Sequence, residues 1–138
     1  MMMRKKHNEN KMIPVNGYCR HLMAGYQIQL HDGVQIRFTS TVPDQYMLYA
    51  DEDSFACIVR RMLTDAVSAT REGSIDVCVT DQGAPGMLTV SVTDTGPTGR
   101  EPDARLTAIA MRRLHGFFFM DPYYKLGTRV LLNITINR

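Results

Sequence analysis

The most constraining feature of the sequence is one long amphipathic segment, enclosed by segments in which apolar and polar residues alternate. Its apolar residues recur at steps of three and four, which is typical of a helix with one buried face. These residues are Phe55, Ile58, Val59, Met62, Leu63 and Ala66. Three acidic residues at 51–53 lie at the expected start of the helix, where the positive end of the helix dipole attracts negative charge. Gly73 is expected to end the helix. Such a helix needs a second layer of structure to cover its apolar stripe.

Period-two alternation predicts that this second layer is a sheet, because alternation is typical of strands with one buried face. The expected strands are 34–39, 46–49, 74–81, 87–93, 117–120 and 129–136. Two further helices are expected at 15–30 and 104–114. We therefore predict an α/β two-layer sandwich. A mostly antiparallel mixed sheet of five to six strands is covered on one face by three helices.

Length and composition indicate one domain. The chain has 138 residues and is 44% hydrophobic, which is enough for one core of ordinary size. Residues 1–12 are polar, basic and without periodicity, so they are predicted to be a disordered tail. The single folded domain is expected to occupy 13–138.

Charge and cysteine spacing bear on partners and location. The 16 basic and 14 acidic residues are too evenly balanced to indicate nucleic acid as a partner. The three cysteines are too far apart in sequence for a disulfide framework or a zinc site. The sequence contains no run of 18 apolar residues, the length that a membrane-spanning helix needs. A reducing, cytoplasmic location is expected.

Several segments, in a fixed order, carry a resemblance to a known family. They are 49–51, 60–70 with 72–75, 90–97, and 108–114 followed by 127–130. From Phe38 to its end the chain resembles the ATP-binding domain shared by histidine kinases, DNA gyrase, mismatch-repair ATPases and the ninety-kilodalton heat-shock chaperones, the GHKL ATPases. The resemblance implies the histidine kinase-like ATPase fold, with ATP or ADP as the ligand.

The base-binding end of the family's pocket is kept. In the family an aspartate of an Asp-x-Gly motif accepts a hydrogen bond from the adenine amino group, and the resemblance places this role on Asp94. It places the close approach of backbone and base on Gly96, a supporting hydroxyl on Thr128, and a further pocket position on Ala69. A buried carboxylate facing an amino donor is selective, because another base would leave it unpaired. The alternative for Asp94 is an ordinary turn residue.

The phosphate-binding end departs from the family. Asp65 stands where the family has an asparagine that helps to hold magnesium, and Ser68 replaces a basic residue. Aspartate oxygens can also bind magnesium, so Asp65 is a candidate magnesium ligand. Alternatively, Asp65 is a solvated residue on the flank of the helix. The glycine-rich lid is missing at 105–108, and Arg105 is the candidate to contact phosphates in its place.

The sequence thus predicts a degenerate, stand-alone domain of the histidine kinase type that is inactive as an enzyme. It acts in bacterial signal transduction as a module that binds adenine nucleotides or a protein, the partner being a response regulator, a kinase or a sigma-factor antagonist. The alternative is an active protein kinase that works in trans, similar to anti-sigma-factor serine kinases, or the catalytic part of a two-component sensor kinase. None of the four histidines has the flanking acid and proline typical of a phosphoacceptor.

Overall fold

The structure is a computed structural model that describes residues 10–98 and 100–136. Its elements follow one another as β1 (Asn10–Pro14), α1 (Val15–Ala24), a 3₁₀ turn (Gln27–Gln29), β2 (Gln35–Ser40), β3 (Met47–Asp51), α2 (Glu52–Ala69), β4 (Ser74–Thr80), β5 (Met87–Asp94), α3 (Ala104–Arg113), β6 (Gly116–Met120) and β7 (Thr128–Thr135). None of the described helices is long and apolar enough to cross a membrane.

The main sheet has five strands in the order β2-β4-β5-β7-β6. Only β2 and β4 run parallel, and the other neighbours in this sheet are antiparallel. Strands β1 and β3 form a separate antiparallel pair. The predicted sheet, mixed but mostly antiparallel, is confirmed.

The core lies between one face of this sheet and the helices. Alternation along β4 turns Ile75, Val77 and Val79 toward the helices, and each is at most 1% exposed. The apolar stripe of α2 meets them, with Phe55 and Leu63 fully buried. The burial of these side chains is the main force that holds the layers together. The predicted two-layer sandwich with helices on one face is therefore confirmed.

Two sequence predictions near the start of the chain are wrong. Residues 10–12 were expected in a disordered tail, but they belong to β1, where they pair with β3 and lead into the buried Ile13. This pairing depends on a strand more than 30 residues away, which local periodicity cannot reveal. Residues 1–9, the rest of the predicted tail, lie outside the described residues.

The first helix was expected to continue to residue 30, but it ends at Ala24. Tyr26 and Leu30 still pack on the core from a 3₁₀ turn and a loop, so their helical spacing reflects burial rather than a continuous helix. The Tyr26 hydroxyl donates to the Arg60 carbonyl oxygen at 3.0 Å, which ties this loop to α2.

Candidate functional site

A cavity of about 330 Å³ lies where the end of α2, the end of β5, the start of β7 and the start of α3 meet. Its apolar wall consists of Met62, Ala66, Val92, Leu106, Phe118, Met120 and Val130. Its polar side chains include Asp65, Ser68, Asp94, Arg100, Asp103 and Thr128. An apolar cavity with a few converging polar groups is the usual form of a small-molecule site.

Strand alternation places a carboxylate and a hydroxyl at one end of this cavity. Along β5, Val90 and Val92 face the helices, and the next inward position is Asp94, which is 2% exposed. Thr128 begins the inward row of β7 and lies directly opposite Asp94 in the antiparallel register. Two predicted site residues are therefore brought together by the sheet itself.

Close backbone packing holds this end of the cavity. The Gly96 amide donates to Asp94 Oδ1 at 2.9 Å. A Cβ atom at Gly96 would lie 2.8 Å from the Ala69 carbonyl oxygen, at the end of α2. The structure thus brings Ala69, Gly96, Asp94 and Thr128 into one site, although the role assigned to each of them stays a prediction.

Sequence reasoning missed Arg100, whose side chain enters the same site. Its Nη2 atom lies 2.7 Å from each carboxylate oxygen of Asp94. Its Nε donates to Thr128 Oγ1 at 3.1 Å and to the Pro97 carbonyl oxygen at 3.2 Å. The only available signal was a single arginine six residues after Asp94, in a segment that resembles a linker.

Two further carboxylates of the cavity lining are paired with one guanidinium group. Arg61 Nε lies 3.2 Å from Asp65 Oδ1, and Arg61 Nη1 lies 3.0 Å from Asp103 Oδ2. The hydrogen bond to Asp65, followed by the charge of Asp65, raises the pKa of Arg61. The cationic guanidinium is therefore the shared partner of both carboxylates.

A magnesium ion at Asp65 would have to take this carboxylate from Arg61. Asp65 and Asp103 already share a positive partner, and residues 10–98 and 100–136 contain no group of three or more His, Cys, Asp or Glu side chains that could hold a metal ion. The role of Asp65 as a magnesium ligand stays a prediction.

Asp103 also occupies the start of α3, which is where a helix attracts an anion. Its Oδ1 accepts a hydrogen bond from the Arg105 amide at 2.8 Å. This hydrogen bond from the Arg105 backbone, together with the hydrogen bond from the Arg105 side chain, lowers the pKa of Asp103. The Arg105 side chain is 85% exposed and does not line the cavity, so the structure does not bring this predicted phosphate contact into the site.

In sequence, the chain matches no family model and no curated protein. In structure, it is similar to the catalytic domain of the histidine kinase ThkA, with a TM-score of 0.74 and 15% identity over 93% of this chain and 96% of that one. ThkA in complex with the response regulator TrrA aligns with a TM-score of 0.72 and 15% identity over 93% of this chain and 42% of that one.

Two further histidine kinases are similar in structure. The Acinetobacter baumannii kinase AdeS aligns with a TM-score of 0.76 and 12% identity over 99% of this chain and 70% of that one. Full-length ShkA in complex with AMPPNP aligns with a TM-score of 0.74 and 21% identity over 96% of this chain and 32% of that one. The chain therefore has the histidine kinase-like ATPase fold, as the sequence resemblance implied.

Proposed function

We propose that this chain is a histidine kinase-like domain that binds the adenine part of a nucleotide and does not transfer phosphate. The observation that carries the proposal is the buried carboxylate of Asp94, which lies at the end of an apolar cavity beside Thr128 and Gly96. A flat base would lie between apolar side chains of α2 and α3, such as Met62 and Leu106, while its amino group donates to Asp94.

The end of the cavity that is lined by Asp65 and Asp103, at the start of α3, argues against catalysis. Phosphoryl transfer depends on positive charge that is positioned around the transferred group and on a metal ion that bridges its oxygens. Here the positive charge of Arg61 is shared between Asp65 and Asp103. A phosphate group entering this end would meet the Asp103 carboxylate, which already caps α3.

The structural relatives support a role in signalling. ShkA was solved with AMPPNP, an analogue of ATP, and ThkA was solved with a response regulator. By analogy, we propose that the chain works in the cytoplasm with a protein of bacterial signal transduction: a response regulator, a kinase or a sigma-factor antagonist.

Calorimetric titration tests the ligand. Adenosine and ATP should bind with affinities within about tenfold of each other, a difference near 1.4 kcal/mol, because the contacts are made to the base. Magnesium should not change either affinity, since Arg61 is the shared partner of Asp65 and Asp103. Inosine, which presents a carbonyl oxygen in place of the amino group, serves as the control and should bind at least about tenfold more weakly than adenosine. ATP that binds about a hundredfold tighter than adenosine would contradict the proposal.

Incubation with radiolabelled ATP and magnesium tests catalysis. The isolated chain should take up no label, and Asp65→Asn should not restore activity. That substitution leaves Asp103 at the start of α3 and does not replace the missing lid glycines. Label on the isolated chain would overturn the proposal. Label that appears only on an added partner protein would instead support the kinase that acts in trans.

A further inference from the structure

We infer that Arg100 is an internal occupant of the base-binding site, and that a ligand must displace its side chain to reach Asp94. This inference rests on the proposed function. It makes Arg100 the residue that determines whether, and for which ligand, the cavity is available.

The geometry around the Arg100 guanidinium is that of a bound ligand. Nη2 donates to both oxygens of Asp94, and Nε donates to Thr128 and to the Pro97 carbonyl oxygen. Nη1 donates to the backbone carbonyl oxygen of Asp65 at 3.2 Å. Every nitrogen of the group thus faces an acceptor, and these acceptors come from α2, β5, β7 and the segment after β5.

The chemistry of this group matches that of the proposed ligand. Nη2 is an amino nitrogen on a flat, conjugated carbon, and the exocyclic amino group of adenine has the same form. Both are donors that satisfy a carboxylate. Arg100 Nη2 lies 2.7 Å from both oxygens of Asp94, and the Gly96 amide also donates to Oδ1, so an adenine amino group that approaches this carboxylate meets Nη2. Adenine and Arg100 therefore compete for the same atoms.

Arg100 has an advantage in this competition. It carries a full positive charge, which strengthens its hydrogen bonds to a carboxylate, and it is attached to the chain six residues from Asp94. If the side chain leaves Asp94 in about 1–10% of molecules, the apparent dissociation constant of adenosine is about 10- to 100-fold larger than for the open site. The wild-type protein is then a weak binder whose affinity depends on the position of this one side chain.

Removal of the Arg100 side chain tests the inference. Arg100→Ala should bind adenosine at least about tenfold more tightly than the wild type in calorimetric titration. The matched control is Arg37→Ala, which removes another arginine bonded to an aspartate, Asp76, at 2.9 and 3.3 Å on strands β2 and β4 and away from the cavity. Arg37→Ala should bind adenosine with wild-type affinity.

The outcomes separate this inference from the proposed function. Equal adenosine affinity of the wild type and Arg100→Ala would overturn the inference and leave the proposed function standing. Absence of binding to both proteins would overturn the proposed function and this inference with it. A gain that is matched by Arg37→Ala would also overturn the inference, since the effect would not depend on Arg100.

Because Arg100→Ala leaves a buried carboxylate without its partner, that variant is paired with two measurements that do not require it. Arg100→Lys keeps the positive charge but lacks the planar guanidinium group with its amino nitrogens. Its gain in adenosine affinity over the wild type should be smaller than that of Arg100→Ala. In the wild type, saturating adenosine should shift the Nε–H signal of Arg100 in nitrogen-15 NMR, and Arg100→Lys identifies this signal by its loss. An Nε–H signal that stays unchanged at saturation would overturn the inference.

Discussion

Asp94→Asn is expected to lower the free energy of unfolding by about 2–3 kcal/mol and, when it is added to Arg100→Ala so that no side chain has to be displaced, to weaken adenosine binding by more than about tenfold. The loss of stability follows from the removal of the charged acceptor of Arg100 Nη2, which lies 2.7 Å from both carboxylate oxygens. The loss of affinity follows because the amide offers one acceptor and one donor where the carboxylate offers two acceptors. Urea denaturation and calorimetric titration measure the two effects.

The matched control for this variant is Asp76→Asn, which affects the exposed pair of Asp76 with Arg37. Exposed ion pairs contribute little to stability, so this control should stay close to the wild type in stability and unchanged in adenosine binding. Equal stability of the two variants would show that Arg100 does not depend on Asp94. Adenosine binding that stays unchanged when Asp94→Asn is added to Arg100→Ala would show that the Asp-x-Gly segment is a structural turn only.

Gly127→Ala is expected to be more damaging, with a loss of about 4 kcal/mol or more in the free energy of unfolding and loss of adenosine binding. Gly127 has a φ angle of +154°, which side chains rarely allow. A Cβ atom there would overlap the carbonyl group of Asp94 and lie 2.9 Å from Thr95 Cα. All of these atoms are backbone, so the strand ends that carry Asp94 and Thr128 would have to separate.

Gly33→Ala separates the effect of the backbone angle from that of the overlap. Gly33 also has a positive φ angle, +83°, but a Cβ atom there would meet nothing within 4 Å. This control should lose about 1 kcal/mol, the usual cost of a left-handed residue other than glycine. If thermal and urea denaturation gave the same loss for both variants, close packing of Gly127 on Asp94 would not explain its role.

Much of the site could be predicted because it lies on regular elements. Alternation along β5 continues from Val90 and Val92 to Asp94, one residue past the predicted end of the strand, and it turns this carboxylate toward the core. The resemblance placed Thr128 and Gly96 with it, and the register of β5 with β7 brings Thr128 opposite Asp94. A period of two is a local property, and it holds wherever one face of a strand is buried.

The partners of the polar side chains could not be predicted in the same way. Arg61 was visible only as one of two adjacent arginines on a helix, but it binds Asp103, 42 residues later in the chain. The turn between β5 and α3 contains Arg100, and no periodicity governs where a loop side chain points. The sequence therefore did not indicate a partner for Asp94, whereas the structure places Arg100 Nη2 2.7 Å from both of its oxygens.

Local pattern and tertiary contact thus contributed different parts of this protein. The sequence by itself determined the two-layer sandwich and the long helix α2, because burial of one face imposes a period on the chain. Only the tertiary structure decided that β1 pairs with β3, that Arg61 forms ion pairs with both Asp65 and Asp103, and that Arg100 forms an ion pair with Asp94. Each of these depends on groups that are distant in sequence or held in a loop, and their approach is set by how the whole chain packs.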